Sequence, residues 1–290
     1  MSTQKQGKLN QLQHLLPEGL LAEAAWLERH GYSRSLRSQY VSANWLEQPA
    51  RGVFRRPQGL ISWEQVVISL QTLMGYGANI GGRSALEVQG YAHYLPQSTH
   101  VIHLYCNSKM PSWVAKLALQ ECFIEHNAAK LWRSIIYRPP LSLSVPTQEG
   151  ASLPGELRVL HWGHWHWPMV VSTPERAYLE LLNELPNKET FHTADVMMEG
   201  LANLSPKRMQ SLLENTKSVK VKRLFFFFAD RHQHQWHCKL KKDKIDMGSG
   251  KRMLVQGGRL DPVYQITIPQ EYVKDNRRIS KRKTIKGKSI

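Results

Sequence analysis

Two amphipathic segments separated by Gly31-Tyr32-Ser33, followed at once by a short basic hairpin, constrain this 290-residue chain more than any other feature. Residues 8–16 read as a short helix stopped by Pro17. Residues 18–30 read as a second, with Leu20, Leu21, Ala24, Ala25 and Leu27 as its apolar face and Gly31 as C-cap. Ser33 is placed to cap a third helix. There Leu36 and Tyr40 lie four apart and share a buried face, while Arg34, Arg37, Ser38 and Val41 fall on another side. The helix ends near Asn44, and Trp45-Leu46 begins an extended stretch. Gln48-Pro49-Ala50-Arg51-Gly52 turns, and Val53-Phe54-Arg55-Arg56 returns as a strand stopped by Pro57. Helix, turn, helix and basic hairpin is the winged-helix order.

Reading duplex DNA needs a helix whose exposed residues reach base edges and basic groups that grip phosphate. The third helix supplies Arg34, Ser35, Arg37, Ser38 and Gln39. Arginine can pair with two acceptors on guanine, and glutamine with adenine. The hairpin offers Arg51, Arg55 and Arg56 to phosphates or the minor groove, with Leu46, Val53 and Phe54 pinning it to the helices. The plain alternative is a solvated basic hairpin that mediates protein contacts.

Charge is unevenly spread along the chain. Residues 1–60 hold 8 Lys/Arg against 4 Asp/Glu, residues 61–216 hold 11 against 13, and residues 217–290 hold 20 against 6. The net +16 therefore resides almost wholly at the carboxyl end, a field that attracts polyanions or an acidic partner. No apolar run reaches the roughly 20 residues of a membrane helix, and the polar start carries no leader-like stretch. The expectation is a soluble cytoplasmic protein without a membrane partner, its three separated cysteines reduced.

The middle of the chain predicts a helix over 63–74, a glycine-rich turn over 75–82 and a short helix over 84–91. A strand over 99–105 is expected, with 123–132 able to pair with it. Pro139, Pro140, Pro146 and Pro154 mark a linker near 138–156. Beyond it, 157–171 is strand-like. Thr173-Pro174 opens a helix that buries Tyr178, Leu181, Leu182 and Leu185. Helices follow over 193–204 and from Ser205-Pro206; within 218–231, Phe225 to Phe228 could form a buried strand, but the length and the Lys/Arg flanks favour a buried helix. Paired strands flank Gly257-Gly258 within 252–269. The expected fold class is α+β: a winged helix-turn-helix over 1–60, a middle α+β domain over 61–155, a basic domain over 156–276 and a disordered polybasic tail over 277–290.

Several patches, in order, resemble the AbiEi family of antitoxins. They are Trp26-Leu27-Glu28-Arg29-His30-Gly31-Tyr32-Ser33, Arg51-Gly52-Val53-Phe54-Arg55-Arg56-Pro57 after Trp45-Leu46, and Gly81-Gly82-Arg83-Ser84-Ala85-Leu86-Glu87. They continue in 198–206, 219–225, 248–252 and 260–262. The resemblance implies a non-enzymatic, two-part antitoxin of type IV, phage-abortive systems. Its winged helix would bind inverted repeats at its own promoter and repress it. Its carboxyl-terminal module would counter a partner nucleotidyltransferase toxin, often without a stable complex. Carried over, operator contact falls to Arg34–Gln39 and Arg51–Arg56. The antitoxin residues are not fixed by the resemblance; the basic set Lys220, Lys222, Arg223, Lys251 and Arg252 is our choice, with competition for a polyanion such as tRNA as a physical route. A stand-alone regulator, or an RNA-binding or enzymatic protein with an accessory winged helix, are the alternatives.

Other signals fall short of their motifs. Gly248-Ser249-Gly250-Lys251-Arg252 has Ile245 where a phosphate loop needs glycine and Arg252 where it needs Ser or Thr. His232, His234, His237 and Cys238 have no second ligand cluster at zinc spacing, so neither metal nor cofactor is expected. The dense Trp/His run of 161–167 reads as core and interface before base stacking. Gly248-Ser249 lacks the spaced aspartates of a nucleotidyltransferase, and Asp195 and Glu199 form no catalytic pair.

Overall fold

The computed structural model of the chain describes residues 2–91, 101–134, 141–143 and 145–272, and side chains from Gly7 onward. The expected tail over 277–290 and Pro139 and Pro140 lie outside the described residues. The fold is mixed α/β, and the chain forms two compact units. One takes 1–80, 99–127 and 136–171; the other takes 81–98, 128–135 and 172–290. The segments 61–155 and 156–276 each contribute to both. Among the described residues no helix is long and apolar enough to cross a membrane.

The first unit begins α1 (Ser2–Leu15), β1 (Leu21–Glu23), α2 (Ala24–Arg29), α3 (Arg34–Ser42), β2 (Glu47–Ala50) and β3 (Val53–Arg55). Residues 18–30 are therefore not one helix. Leu21 to Glu23 pair antiparallel with Arg55 to Val53, so a long-range ladder overrides a locally helical pattern. Gly19 makes the break possible: its φ of +83° is a conformation that other residues rarely adopt. The three strands form a sheet in the order β1-β3-β2. Lys8 Nζ donates to Gly31 O at 2.8 Å and Tyr32 Oη donates to Lys8 O at 3.0 Å, sewing α1 to the turn before α3.

After α4 (Trp63–Thr72) come β4 (Ala78–Ile80), β5 (Val101–Cys106), β6 (Cys122–Asn127), β7 (Ser152–Leu153), β8 (Leu157–Trp162) and β9 (Trp167–Ser172), in a six-stranded sheet ordered β6-β5-β4-β9-β8-β7. Ser62 and Gln65 form a capping box that starts α4. The stretch 75–82, read as a turn, contains β4, which is held antiparallel by β5 on one side and parallel by β9 on the other. Strand β6 does pair with β5, and the pairing is parallel. The buried Gln71 amide fixes this junction, donating to Ala78 O and Val170 O at 3.0 Å and accepting from Val170 N at 2.8 Å. Leu21, Val53, Val66, Leu70, Trp113, Val114 and Leu117 form the core beneath it.

The second unit contains α5 (Gly82–Val88), α6 (Ala128–Leu131), α7 (Pro174–Glu184), α8 (Phe191–Gly200), α9 (Pro206–Asn215), α10 (Val219–His232) and the two-stranded ladder β10 (Arg259–Leu260) with β11 (Thr267–Ile268). Helix α8 begins at Phe191, two residues before the expected start at 193, and Thr190 caps it. The α10 helix is its axis: every residue from Val221 to Ala229 is buried. A helix apolar all round needs neighbours on all sides. Phe225 meets Tyr178 and Trp236, Phe226 meets Tyr264, and Phe228 meets Phe191 and Tyr272. The fully buried Glu180 is satisfied by Gly82 N at 3.0 Å, Ser172 Oγ at 2.8 Å and Arg176 Nε at 2.7 Å. The β10–β11 strands turn at Asp261, whose carboxylate accepts from Val263 N and Tyr264 N, rather than at Gly257-Gly258.

Glu189 sits 5% exposed, 4.0 Å from Arg83. Burial pushes its carboxyl up to about 7; Arg83 pulls it down, while Glu87 and Glu184 push it further up. The folded state thus holds a proton that the unfolded state has lost between 4.5 and about 7. Stability should fall as pH rises through that window and level off above it. Glu189→Gln should flatten the fall, read as urea midpoints of both proteins from about pH 5 to about pH 8.

Candidate nucleic-acid interface

Helix α3 starts where Ser33 Oγ accepts from Leu36 N at 3.3 Å, and it ends at Ala43, after which Asn44 has φ +57°. The face it turns outward is a shallow open groove lined by Arg34, Ser35, Ser38, Gln39, Ser42 and Ala43, all exposed. Ser42 Oγ donates to Ser38 O at 3.1 Å. Among the described residues the side chains of Arg34, Ser35 and Gln39 have no protein partner, and the first amides of the helix open toward the same end. Arg51, at the tip of the hairpin beside Gly52 with φ +80°, is likewise exposed and unpaired among the described residues.

Three of the eight residues assigned to DNA contact point elsewhere. Arg37 is 6% exposed and lies on the buried face with Tyr40, three residues on. Its guanidinium donates to Tyr32 O at 2.6 Å and Ala24 O at 3.3 Å, stands 3.8 Å from Glu28 and lies 5.7 Å over the Phe54 ring. Arg55, also 6% exposed, pairs with Glu47 at 2.7 Å and donates to Gly59 O at 2.6 Å and Gln58 O at 3.3 Å. Arg56 donates to Gln13 O and Leu16 O, closing the last turn of α1, and pairs with Glu18 at 2.6 Å. These guanidiniums take up carbonyls left over at helix ends and turns, a use that residue type alone does not distinguish from phosphate gripping.

The basic set chosen for the carboxyl end divides the same way. Lys220 Nζ donates to Asn183 O at 2.6 Å and Leu185 O at 2.8 Å, capping α7. Lys222 and Arg223 are buried. Arg223 donates to Met247 O, Gly250 O, Gly248 O and Gln265 O at 2.8, 2.6, 3.0 and 3.3 Å. The 248–252 loop therefore points carbonyls, not amides, at its central group, and Gly248 N is taken by Asp246 Oδ1 at 2.8 Å. An anion cradle needs the opposite polarity. Lys251 and Arg252 remain exposed, beside Met253.

The histidines noted in sequence find acidic or carbonyl partners. His232 Nε2 lies 2.8 Å from Asp195 Oδ1, His237 Nε2 lies 3.2 Å from Asp230 Oδ1, and His234 Nε2 lies 2.8 Å from Met198 O. For Asp195, burial opposes the charge, but hydrogen bonds from His232 and Arg231 outweigh it and hold the carboxyl below its ordinary range. In the Trp/His run, Trp167 is buried and stacks at 6.1 Å with Trp162, whereas Trp165, in the turn, is 66% exposed.

The family described as "Transcriptional regulator, AbiEi antitoxin N-terminal domain" matches residues 5–97. "Transcriptional regulator, AbiEi antitoxin, Type IV TA system" matches residues 161–269. The chain therefore has the N- and C-terminal domain architecture of the AbiEi antitoxins, a family of transcriptional regulators. The crystal structure of the RV2827C protein from Mycobacterium tuberculosis shares the fold: TM-score 0.55, 16% identity, covering 97% of this chain and 96% of that one. No curated protein matches.

Arg37→Ala should lower unfolding stability by about 2–3 kcal/mol, because the buried Tyr32 carbonyl and the half-buried Ala24 carbonyl lose a charged donor. Arg34→Ala should stay within about 0.5 kcal/mol of the wild type. Urea titration of both variants measures the contrast.

Proposed function

We propose that a chain with the AbiEi two-domain architecture acts as an antitoxin that represses its own promoter, reading operator repeats through α3 and countering a nucleotidyltransferase toxin through its basic carboxyl-terminal part. We read residues 1–60 as a winged helix-turn-helix. The helix–strand–helix–helix–hairpin order, with β1 added to the hairpin as a third strand, supports that reading. One observation carries the DNA assignment: α3 leaves Arg34, Ser35, Ser38 and Gln39 on an open face, while Arg37 is spent holding the helix in place. Arg34 and Ser35 sit at the helix start, where recognition helices touch base edges or phosphate, and Gln39 lies just over a turn further on. Arg51 at the hairpin tip supplies the phosphate contact that Arg55 and Arg56, tied to carboxylates and carbonyls, do not. The contact set is thereby Arg34, Ser35, Ser38, Gln39 and Arg51.

The antitoxin role is assigned to 156–276, and within it to the exposed Lys251 and Arg252. An exposed charged pair at the end of the 248–252 loop can engage an acidic toxin face or compete for a polyanion such as tRNA. Lys220, Lys222 and Arg223 are turned onto main-chain carbonyls and are removed from that exposed surface.

On its own promoter, Gln39→Ala should relax base preference. Arg51→Ala should weaken all sequences alike and lower the salt slope by about one. Footprinting and salt titrations read both, and a promoter without a footprint would remove the repressor reading. Lys251→Glu with Arg252→Glu should keep the fold yet lose growth rescue when co-expressed with the neighbouring toxin. Full rescue would take the antitoxin role off this surface.

A further inference from the structure

In the unit formed by 81–98, 128–135 and 172–290, a polar concavity of about 350 Å³ is lined by Arg133, Glu214, Lys222, Lys244 and Asp246. Hydrogen bonds to main-chain groups fix its walls. Arg133 N donates to Asn215 O at 3.0 Å, Ser134 N to Asn215 Oδ1 at 3.1 Å, and Thr216 Oγ1 to Leu131 O at 3.1 Å, so the stretch after α6 is stitched to the α9–α10 link. Lys222 rises from the first turn of α10, Lys244 from the single turn Lys242–Lys244, and Asp246 follows two residues later.

The donors of this site outnumber their acceptors. Lys222 is 1% exposed, yet its ammonium has one acceptor, Asp246 O at 3.1 Å, for three N–H bonds. Among the described residues the Arg133 guanidinium and the Lys244 ammonium make no ion pair. The two carboxylates are partly engaged: Asp246 Oδ1 accepts from Gly248 N, and Glu214 Oε1 accepts from Gln210 Nε2 at 2.7 Å. Burial and the charge of Arg133 push the Lys222 ammonium down in pKa, and Asp246 opposes them. Cations lining one concavity, one of them buried with donors to spare, form a site that an oxyanion completes.

We propose that this concavity binds a ribonucleotide phosphate, with Arg133, Lys222 and Lys244 donating to its oxygens and Glu214 and Asp246 accepting from sugar hydroxyls. The volume stands at the lower end of small-ligand pockets, so phosphate plus sugar fits where a bare ion would leave space. The carboxylates would repel a naked polyanion but suit a ligand that brings hydroxyl donors beside its charge. Such a phosphate can come from a free nucleotide or from the 5′ end of an RNA.

The full-length protein is titrated calorimetrically with inorganic phosphate, a 5′-ribonucleoside monophosphate, its 2′-deoxy counterpart and a short 5′-phosphorylated oligoribonucleotide. Saturable binding of a ribose-bearing probe, tighter than that of the deoxy probe, is expected. Arg133→Gln and Lys244→Gln, both at exposed positions, should each weaken it roughly tenfold or more. Lys222→Met should do the same; should it fail to fold, the two exposed variants decide. Preference for the mononucleotide would assign the free-nucleotide source, and preference for the oligomer would assign an RNA end. No saturable binding of any phosphorylated probe, no preference for ribose, or affinity unchanged in the Arg133→Gln/Lys244→Gln double variant would overturn the proposal.

Discussion

A backbone carbonyl left without a donor inside a protein is costly, and every helix end and tight turn creates some. This chain meets that need with cations. Arg37 binds the carbonyls of Tyr32 and Ala24, Arg56 those that end α1, Lys220 those that end α7, and Arg223 those of Met247, Gly248, Gly250 and Gln265. A guanidinium suits the task because its five N–H groups lie in one plane and can reach several carbonyls from one buried position. The net charge of the chain therefore overstates the charge on its surface.

That internal use of cations is why the interface was only half legible in sequence. Ser33 as cap, α3 behind it and the returning strand at Val53 were readable because each depends on neighbours in the chain. Arg37 was misplaced: it occurs in the same pattern whether it faces water or Tyr32 O, and only the docking of Phe54 and α2 decides. A three-residue spacing to Tyr40 was the available signal, since residues so spaced share a helix face. Strand β1 and strand β4 were read as helix and turn for a related reason. Each has three residues, and its partners lie far away in the chain. Helix α10 was readable, because its length and its flanking Lys and Arg gave a helix and its four phenylalanines demanded burial.

The two ends of the chain thus use one chemistry for two purposes. Near the amino end, buried arginine sets the angle of α3 and leaves a neighbouring arginine free at its start. Near the carboxyl end, buried lysine and arginine anchor a loop, with Lys251 and Arg252 projecting just beyond it. In both places one cation is spent on the fold and another is left exposed: Arg37 against Arg34, and Arg223 against Lys251 and Arg252. A charge-based reading would average over that distinction.

The loop around Arg223 is fastened through its main chain. Such an attachment is indifferent to most side chains that the loop carries. Gly248 and Gly250 are the exceptions, with φ +59° and +74°, and Val219 lies 2.9 Å from where a Cβ on Gly248 would sit. Met247 and Ser249 are under no such restriction, so the segment can drift in composition over evolutionary time, or accept a reporter group at Ser249, while its path stays set by one arginine.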